Sequence, residues 1–245
     1  MKIHDCIQGT QEWLLLRSGI PTASNFDKIV TPGGKLSKSQ EPYMFKLLAE
    51  RLMGHPCEEF MSMWMQRGNA EEARAVQFYE LQCDLDTTPI GFITNDAGTI
   101  GASPDRLVGD PGLLEIKVPK EATHMSYLLR SGSAYEEYRV QVQGQLWVTG
   151  REWSDVLSWH PELPPALLRI VRDEPFIMIL SAAVEAFSTA LETQWKLCED
   201  RGWTKAKPKK PAMSEQEILL AALRESLIEV NSARDAPQVP EGREL

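Results

Sequence analysis

Asp105, Glu115 and Lys117 are the residues of this 245-residue chain whose types and spacing could do chemistry. They fall in the run from Ser103 to Lys117, S-P-D-R-L-V-G-D-P-G-L-L-E-I-K. Thr99 to Ser103 suits a strand, and Asp110-Pro111-Gly112 is a turn signal. Leu113 to Val118 then alternates, with Leu114, Ile116 and Val118 on one side and Glu115 and Lys117 on the other. With Asp105 at the end of the incoming strand, a single β-hairpin would gather two carboxylates and one ammonium. Two acids so close repel each other unless a cation lies between them, and oxygen donors of this kind suit Mg²⁺ or Mn²⁺ rather than zinc. A surface hairpin with solvated charges shows the same alternation, so the pattern alone leaves both readings open.

The elements that would position this hairpin follow from periodicity and punctuation. Ser24 is placed to cap a helix over Asn25 to Val30. Tyr43, Leu47, Leu48 and Leu52 mark a helix from Glu41 to Met53 that ends at Gly54. Gly68 to Leu81 reads as another helix, Tyr135 to Trp147 as a third, and Glu174 to Glu199 as a long helical region. Strands are expected at Ile90 to Thr94, Thr99 to Ser103, Leu113 to Val118, Val156 to Trp159 and Leu168 to Val171. The pattern predicts an α/β (α+β) core, a central mixed β-sheet flanked by helices. Residues 1–204 form this domain, residues 205–212 a basic Lys/Pro linker, and residues 213–245 an amphipathic helix with a flexible tail. Leu219, Leu220, Leu223, Leu227 and Val230 line one side of that helix, which either packs on its own domain or contacts a partner.

Composition is that of an ordinary globular chain, 42% hydrophobic and 25% charged. No apolar run suggests a membrane span and the N-terminus lacks a signal-peptide pattern, so a cytoplasmic protein with no membrane partner is expected. Cys6, Cys57, Cys83 and Cys198 are scattered and the four histidines show no ligand spacing. Structural zinc, an iron–sulfur cluster and a disulfide framework are thereby disfavoured. The net charge of −9 does not advertise nucleic-acid binding, although a phosphate-binding channel needs only local positive potential.

Further motifs stand in order along the chain. Gln8-Gly9-x-x-Glu12-Trp13 is followed by Leu16-Arg17-x-Gly19-x-x-Thr22-Ala23-Ser24, then by Gly68-x-x-x-Glu72. After the hairpin come Tyr138-x-x-Gln141-Val142-Gln143 and Trp147-Val148-Thr149. Together these resemble the phage lambda exonuclease family, also called YqaJ-type viral recombinases, alkaline exonucleases of the PD-(D/E)xK superfamily. The resemblance runs from about Gln8 to about Phe187.

That resemblance implies a restriction-endonuclease-like core and a set of roles. Asp105, Glu115 and the backbone carbonyl of Ile116 would hold a divalent metal, with Glu72 at a second metal position. Lys117 would orient or deprotonate the attacking water, and Gln141 would lie against that water or the scissile phosphate. Arg17, Ser24 and Ser103 would bind a terminal 5′-phosphate. Where the family carries an aspartate on the strand before the hairpin, this chain has Asn95, a weaker ligand. Glu71 is expected to be solvated, and Gln143 cannot share a helical face with Gln141. The Met61, Met63, Trp64, Met65 cluster is either core packing or, through Met65, a wedge that splits the duplex end.

The implied activity is Mg²⁺-dependent (Mn²⁺ also suits) 5′→3′ digestion of one strand of linear double-stranded DNA with a 5′-phosphate, with two ions per site. The implied setting is a phage or prophage protein in a bacterial host, a processive ring-shaped homotrimer working beside a single-strand annealing protein. Metal ions would lower the pKa of water and clamp the scissile oxygens, and a lysine beside a cation would have a depressed pKa. A restriction-type endonuclease and a non-enzymatic DNA-end scaffold are the rival readings.

Overall fold

The computed structural model describes residues 1–57, 63–130 and 132–204, the side chains of 63–70 and 133 excepted. The expected linker, the C-terminal helix and the side chains of the Met61, Met63, Trp64, Met65 cluster, with the wedge assigned to Met65, lie outside what is described. In chain order the elements are β1 (Lys2–His4), α1 (Gln11–Arg17), a 3-10 helix (Ala23–Lys28), α2 (Gln40–Met53), α3 (Met63–Cys83), β2 (Thr87–Pro89), β3 (Phe92–Thr94) and β4 (Gly101–Ala102). Then follow β5 (Arg106–Val108), β6 (Gly112–Lys117), α4 (Glu121–Leu129), α5 (Ser133–Thr149), β7 (Trp153–Ser158), β8 (Ala166–Val171) and α6 (Glu174–Asp200).

The strands divide between two sheets. β1-β3-β4 is a small antiparallel sheet, and β2-β5-β6-β7-β8 is a mixed one in which only β6 and β7 run parallel. This corrects the expected hairpin. The incoming strand, β4, pairs with β3 in the small sheet, and the hairpin partner of β6 is the unanticipated β5. Pro104, which has no N–H for a ladder, sits where the chain leaves one sheet for the other. The β5–β6 register pairs Arg106 with Leu114 and Val108 with Gly112, so its continuation sets Asp105 opposite Glu115. The turn between them uses Gly109 at φ 52°.

The alternation along β6 holds, and it sorts the core. Leu114 and Ile116 pack with Val108, Leu157 and the α3 residues Ala75, Val76 and Tyr79. Leu113, on the opposite face, packs with Val156, Ile170 and the α5 residues Val142 and Leu146. Glu115 and Lys117 therefore point to the α5 side. A third apolar cluster joins the 3-10 helix, α2, α5 and α6 through Phe26, Tyr43, Leu47, Val140, Leu180 and Phe187.

Other elements depart from expectation for identifiable reasons. The Asn25 to Val30 helix is a 3-10 helix from Ala23, without a side-chain cap. Ser24 instead accepts a hydrogen bond from Arg17. Helix α4 went unanticipated, as did β1 and β2, which are only three residues each. Helix α6 is long and apolar enough, by length and composition, to cross a membrane, contrary to the reading of the sequence. Its apolar stripe, including Phe176, Leu180, Val184, Phe187 and Leu191, is buried in the core of this domain. Asp173 caps it, accepting from the Phe176 N–H at 3.2 Å.

One close approach fixes α5 in place. A Cβ on Gly144 would lie 2.5 Å and 2.9 Å from ring atoms of Phe26, which is fully buried. Only glycine lets α5 settle on the 3-10 helix at this depth. Gly144→Ala is expected to lower the unfolding free energy by about 1–3 kcal/mol, the usual cost of overpacking a dense core. Urea denaturation with an unchanged slope would measure it.

Candidate active site

Glu115 is 3% exposed, on the central strand of the larger sheet. A carboxylate so short of water needs donors, and three reach it. Gln141 Nε2 donates to Oε1 at 2.5 Å and Gln145 Nε2 donates to Oε2 at 2.6 Å, both from α5. Lys117 Nζ lies 2.7 Å from Oε1. It also donates to Gln141 Oε1 at 3.1 Å and sits 4.5 Å above the centre of the Tyr138 ring. Asp105, across the hairpin, accepts from the Ile116 N–H at 2.6 Å.

The electrostatics follow from two acids sharing one ammonium. Burial, and then the charge of Glu115, push Asp105 well above the ordinary carboxylate range, against the pull of Lys117 and the Ile116 N–H. Burial works against the charge on Lys117, but Glu115 and Asp105 outweigh it and hold its pKa above the ordinary lysine value. A lysine of depressed pKa was expected beside a cation. With only these protein groups around it, Lys117 is instead kept as the ammonium that neutralises the pair.

The remaining expected residues divide into those gathered here and those placed elsewhere. Glu72 lies near enough to raise Asp105 further, and pairs with Arg106 at 3.6 Å. Glu71 is not simply solvated: it accepts from Trp159 Nε1 at 3.1 Å and pairs with Arg74 at 3.2 Å. Asn95 is engaged in its own turn. Its Oδ1 accepts from the Thr99 and Ile100 N–H groups, and its Nδ2 donates to Thr99. Gln143 bonds Tyr135, the Val171 carbonyl and the Asp173 N–H, all away from Glu115.

A second cluster forms a continuous chain of contacts. Arg17 Nη2 donates to Ser24 Oγ at 3.1 Å, its guanidinium lies 4.0 Å above the Trp13 ring, and Trp13 Nε1 donates to Ser103 Oγ at 2.9 Å. Ser103 precedes Asp105 by only Pro104, so the two clusters adjoin along the backbone. Three residues had no role assigned from the sequence: Trp13, Tyr138 and Gln145. The first two lie inside quoted motifs. Gln145 carried a signal of its own, since it follows Gln141 by one helical turn.

With this geometry established, known proteins supply the comparison. A family model for the YqaJ-like viral recombinase domain matches residues 12–152. The chain belongs to the YqaJ-like viral recombinase family. Its fold is similar to the crystal structure of LHK-Exo, an alkaline exonuclease from Laribacter hongkongensis, with TM-score 0.71 and 33% identity over 79% of this chain and 98% of that one. The complex of LHK-Exo with dAMP gives TM-score 0.71 and 35% identity over the same shares. A phage-related exonuclease from Haemophilus somnus 129PT shares the fold, with TM-score 0.60 and 15% identity over 74% of this chain and 96% of that one. No curated protein matches the chain. The expected mixed α/β core of PD-(D/E)xK type is thus the fold of this family member.

Among the described residues, no group of three or more His, Cys, Asp or Glu side chains stands ready to hold a metal ion. The Asp105–Glu115 pair nonetheless fits a hard divalent cation. Its donors are all oxygens, and burial together with the charge of Glu115 leaves the Asp105 carboxylate short of counter-charge despite Lys117.

That raised pKa has a consequence for the metal-free YqaJ-like domain. The folded chain holds the Asp105 proton more tightly than the unfolded chain does. Stability is therefore lost as pH rises from the ordinary aspartate pKa through the raised one. Asp105→Asn is expected to raise the melting temperature in EDTA at pH 8, with a smaller gain at pH 4. A chain of this size shifts by about 2–4 °C per kcal/mol. A fall in melting temperature at pH 8 would contradict this assignment of strain to the acid pair.

Proposed function

We propose that this chain is a Mg²⁺-dependent 5′→3′ exonuclease that degrades one strand of linear double-stranded DNA and leaves a 3′ single strand for recombination by annealing. The observation that carries the reading is the adjacency of two clusters: an acid pair with its lysine, and a linked set of Arg17, Ser24, Trp13 and Ser103 that comes within two residues of it along the chain. The likeness to LHK-Exo, an alkaline exonuclease, supports it.

Asp105 and Glu115 would hold the cation, with the Ile116 carbonyl as a further oxygen and Glu72 serving a second position. When bound, such an ion lowers the pKa of water and stabilises the leaving oxyanion. Gln141 holds both Glu115 and Lys117 in register. Lys117, held as an ammonium by Glu115 and Asp105, would donate to a phosphate oxygen or orient the attacking water. The Arg17 guanidinium offers a planar fork to a terminal phosphate, with the hydroxyls of Ser24 and Ser103 beside it. Trp13 braces both ends of that pocket by stacking on Arg17 and donating to Ser103. Contacts of this kind grip the DNA backbone and leave base identity unread. Processive digestion as a homotrimer, and cooperation with a single-strand annealing protein, complete the proposal.

Two substitutions test it. On linear duplex labelled in one strand, with Mg²⁺ or Mn²⁺, Lys117→Ala is expected to lower kcat by at least about 100-fold, the scale of a lost acid–base or charge-stabilising group. A closed circle should remain intact. Cutting of the circle would favour an endonuclease, and no cutting of any substrate a binding scaffold.

Arg17→Ala is expected to weaken use of 5′-phosphorylated ends about 10- to 100-fold, as for a lost charged hydrogen bond, while 5′-hydroxyl ends are little affected. Equal losses on both ends would remove Arg17 from the phosphate pocket.

A further inference from the structure

Helix α5 presents three buried or partly buried glutamines, and their hydrogen bonds separate them. Gln143 is satisfied at both ends by structural partners: Nε2 donates to Tyr135 and the Val171 carbonyl, and Oε1 accepts from the Asp173 N–H. Gln141 bridges Glu115 and Lys117. Gln145 resembles neither. It is 1% exposed, its Nε2 donates to Glu115 Oε2 at 2.6 Å, and its Oε1 is buried with no hydrogen-bond partner.

An amide left half unsatisfied in the interior costs stability, and a side chain with no orphaned acceptor would avoid that cost only by giving up the contact to Glu115. The retained amide therefore points to its single polar contact, the Glu115 carboxylate. At 1% exposure Gln145 does not reach solvent, so any influence on reacting groups passes through Glu115.

The division of lone pairs on Glu115 shows what that influence is. Oε1 is occupied by Gln141 and Lys117 together. Oε2 accepts from Gln145 alone, which leaves it one unused lone pair among the described contacts. Gln145 thus holds the carboxylate against rotation about its last torsion, a soft, broad well when unassisted. It also leaves Oε2 as the oxygen with capacity to spare.

We propose that Gln145 is a positioning residue that locks the orientation of Glu115 and thereby sets the affinity of the Asp105–Glu115 pair for a divalent cation. The inference rests on the metal-binding reading given under the proposed function. Groups that orient a metal ligand from behind typically contribute 10- to 100-fold to metal affinity.

The test is titration of the full chain with Mn²⁺, followed by electron paramagnetic resonance of the free ion, with melting temperature in EDTA recorded alongside. Wild type, Gln145→Met, Gln145→Ala and Gln143→Met are compared. Gln145→Met keeps the length of the side chain and removes the donor. It is expected to weaken Mn²⁺ binding by about 10- to 100-fold, with a loss of melting temperature in EDTA no larger than that of Gln143→Met. Its kcat is expected to recover as Mn²⁺ is raised, with KM for duplex unchanged. Gln145→Ala should weaken binding at least as much. Gln143→Met should lose stability yet keep its Mn²⁺ affinity.

Equal Mn²⁺ affinity in wild type and both Gln145 variants overturns the inference while leaving the metal reading intact. Loss of affinity that tracks loss of melting temperature across all three variants also overturns it, since a structural role suffices. If wild type itself binds no Mn²⁺, the metal reading fails and the inference falls with it.

Discussion

A carboxylate nearly stripped of water, Glu115, makes the largest demand on this fold. A buried carboxylate without hydrogen-bond partners would destabilise the core. Here two amides and an ammonium surround it, and each comes from an element whose placement is then constrained. The amides lie one helical turn apart on α5, so α5 must run close beside β6. The ammonium lies two residues along β6, on the same face of the strand. Val142 and Leu146 seat α5 on the sheet, while Gly144 lets its other side sink against Phe26. Packing on both flanks of the helix therefore serves one polar contact at its centre.

The second organising feature is the switch of sheets at Pro104. β4 ends in the small sheet and β5 begins in the larger one, with Ser103 on one side of the proline and Asp105 on the other. The Arg17, Ser24, Trp13 and Ser103 cluster is thereby joined to the acid pair through a single intervening residue. For an enzyme acting at a chain end, this places the group that would recognise the terminus beside the group that would cut it. Burial and the neighbouring carboxylate together work against the charge on Asp105, and Lys117 offsets them only in part.

The acid–lysine constellation was legible because strand alternation is strict: a period of two puts Glu115 and Lys117 on one face whatever surrounds them. The long helices were legible for the same kind of reason, with Gly54 marking one end through local backbone chemistry. The motif order was enough to name the family, which the match over residues 12–152 bears out. The hairpin partner was misassigned because β5 is three residues long and gains its identity only from pairing. Ser24 was read as a cap because its neighbourhood allows one, while its hydroxyl went to Arg17 seven residues earlier.

Sequence by itself thus determined which groups could react, the faces they occupy on their own strand or helix, and the family. Those properties are local, set by backbone periodicity and side-chain type. Tertiary structure alone decided that β5 is the hairpin partner of β6 and that Asp105, just before it, accepts from the Ile116 N–H. It also decided that Lys117 is held as an ammonium, that Asn95 serves its turn, and that Gln145 reaches Glu115 from thirty residues away. Each of these depends on burial and on distances between segments remote in the chain. Both arise only when the apolar faces close around them.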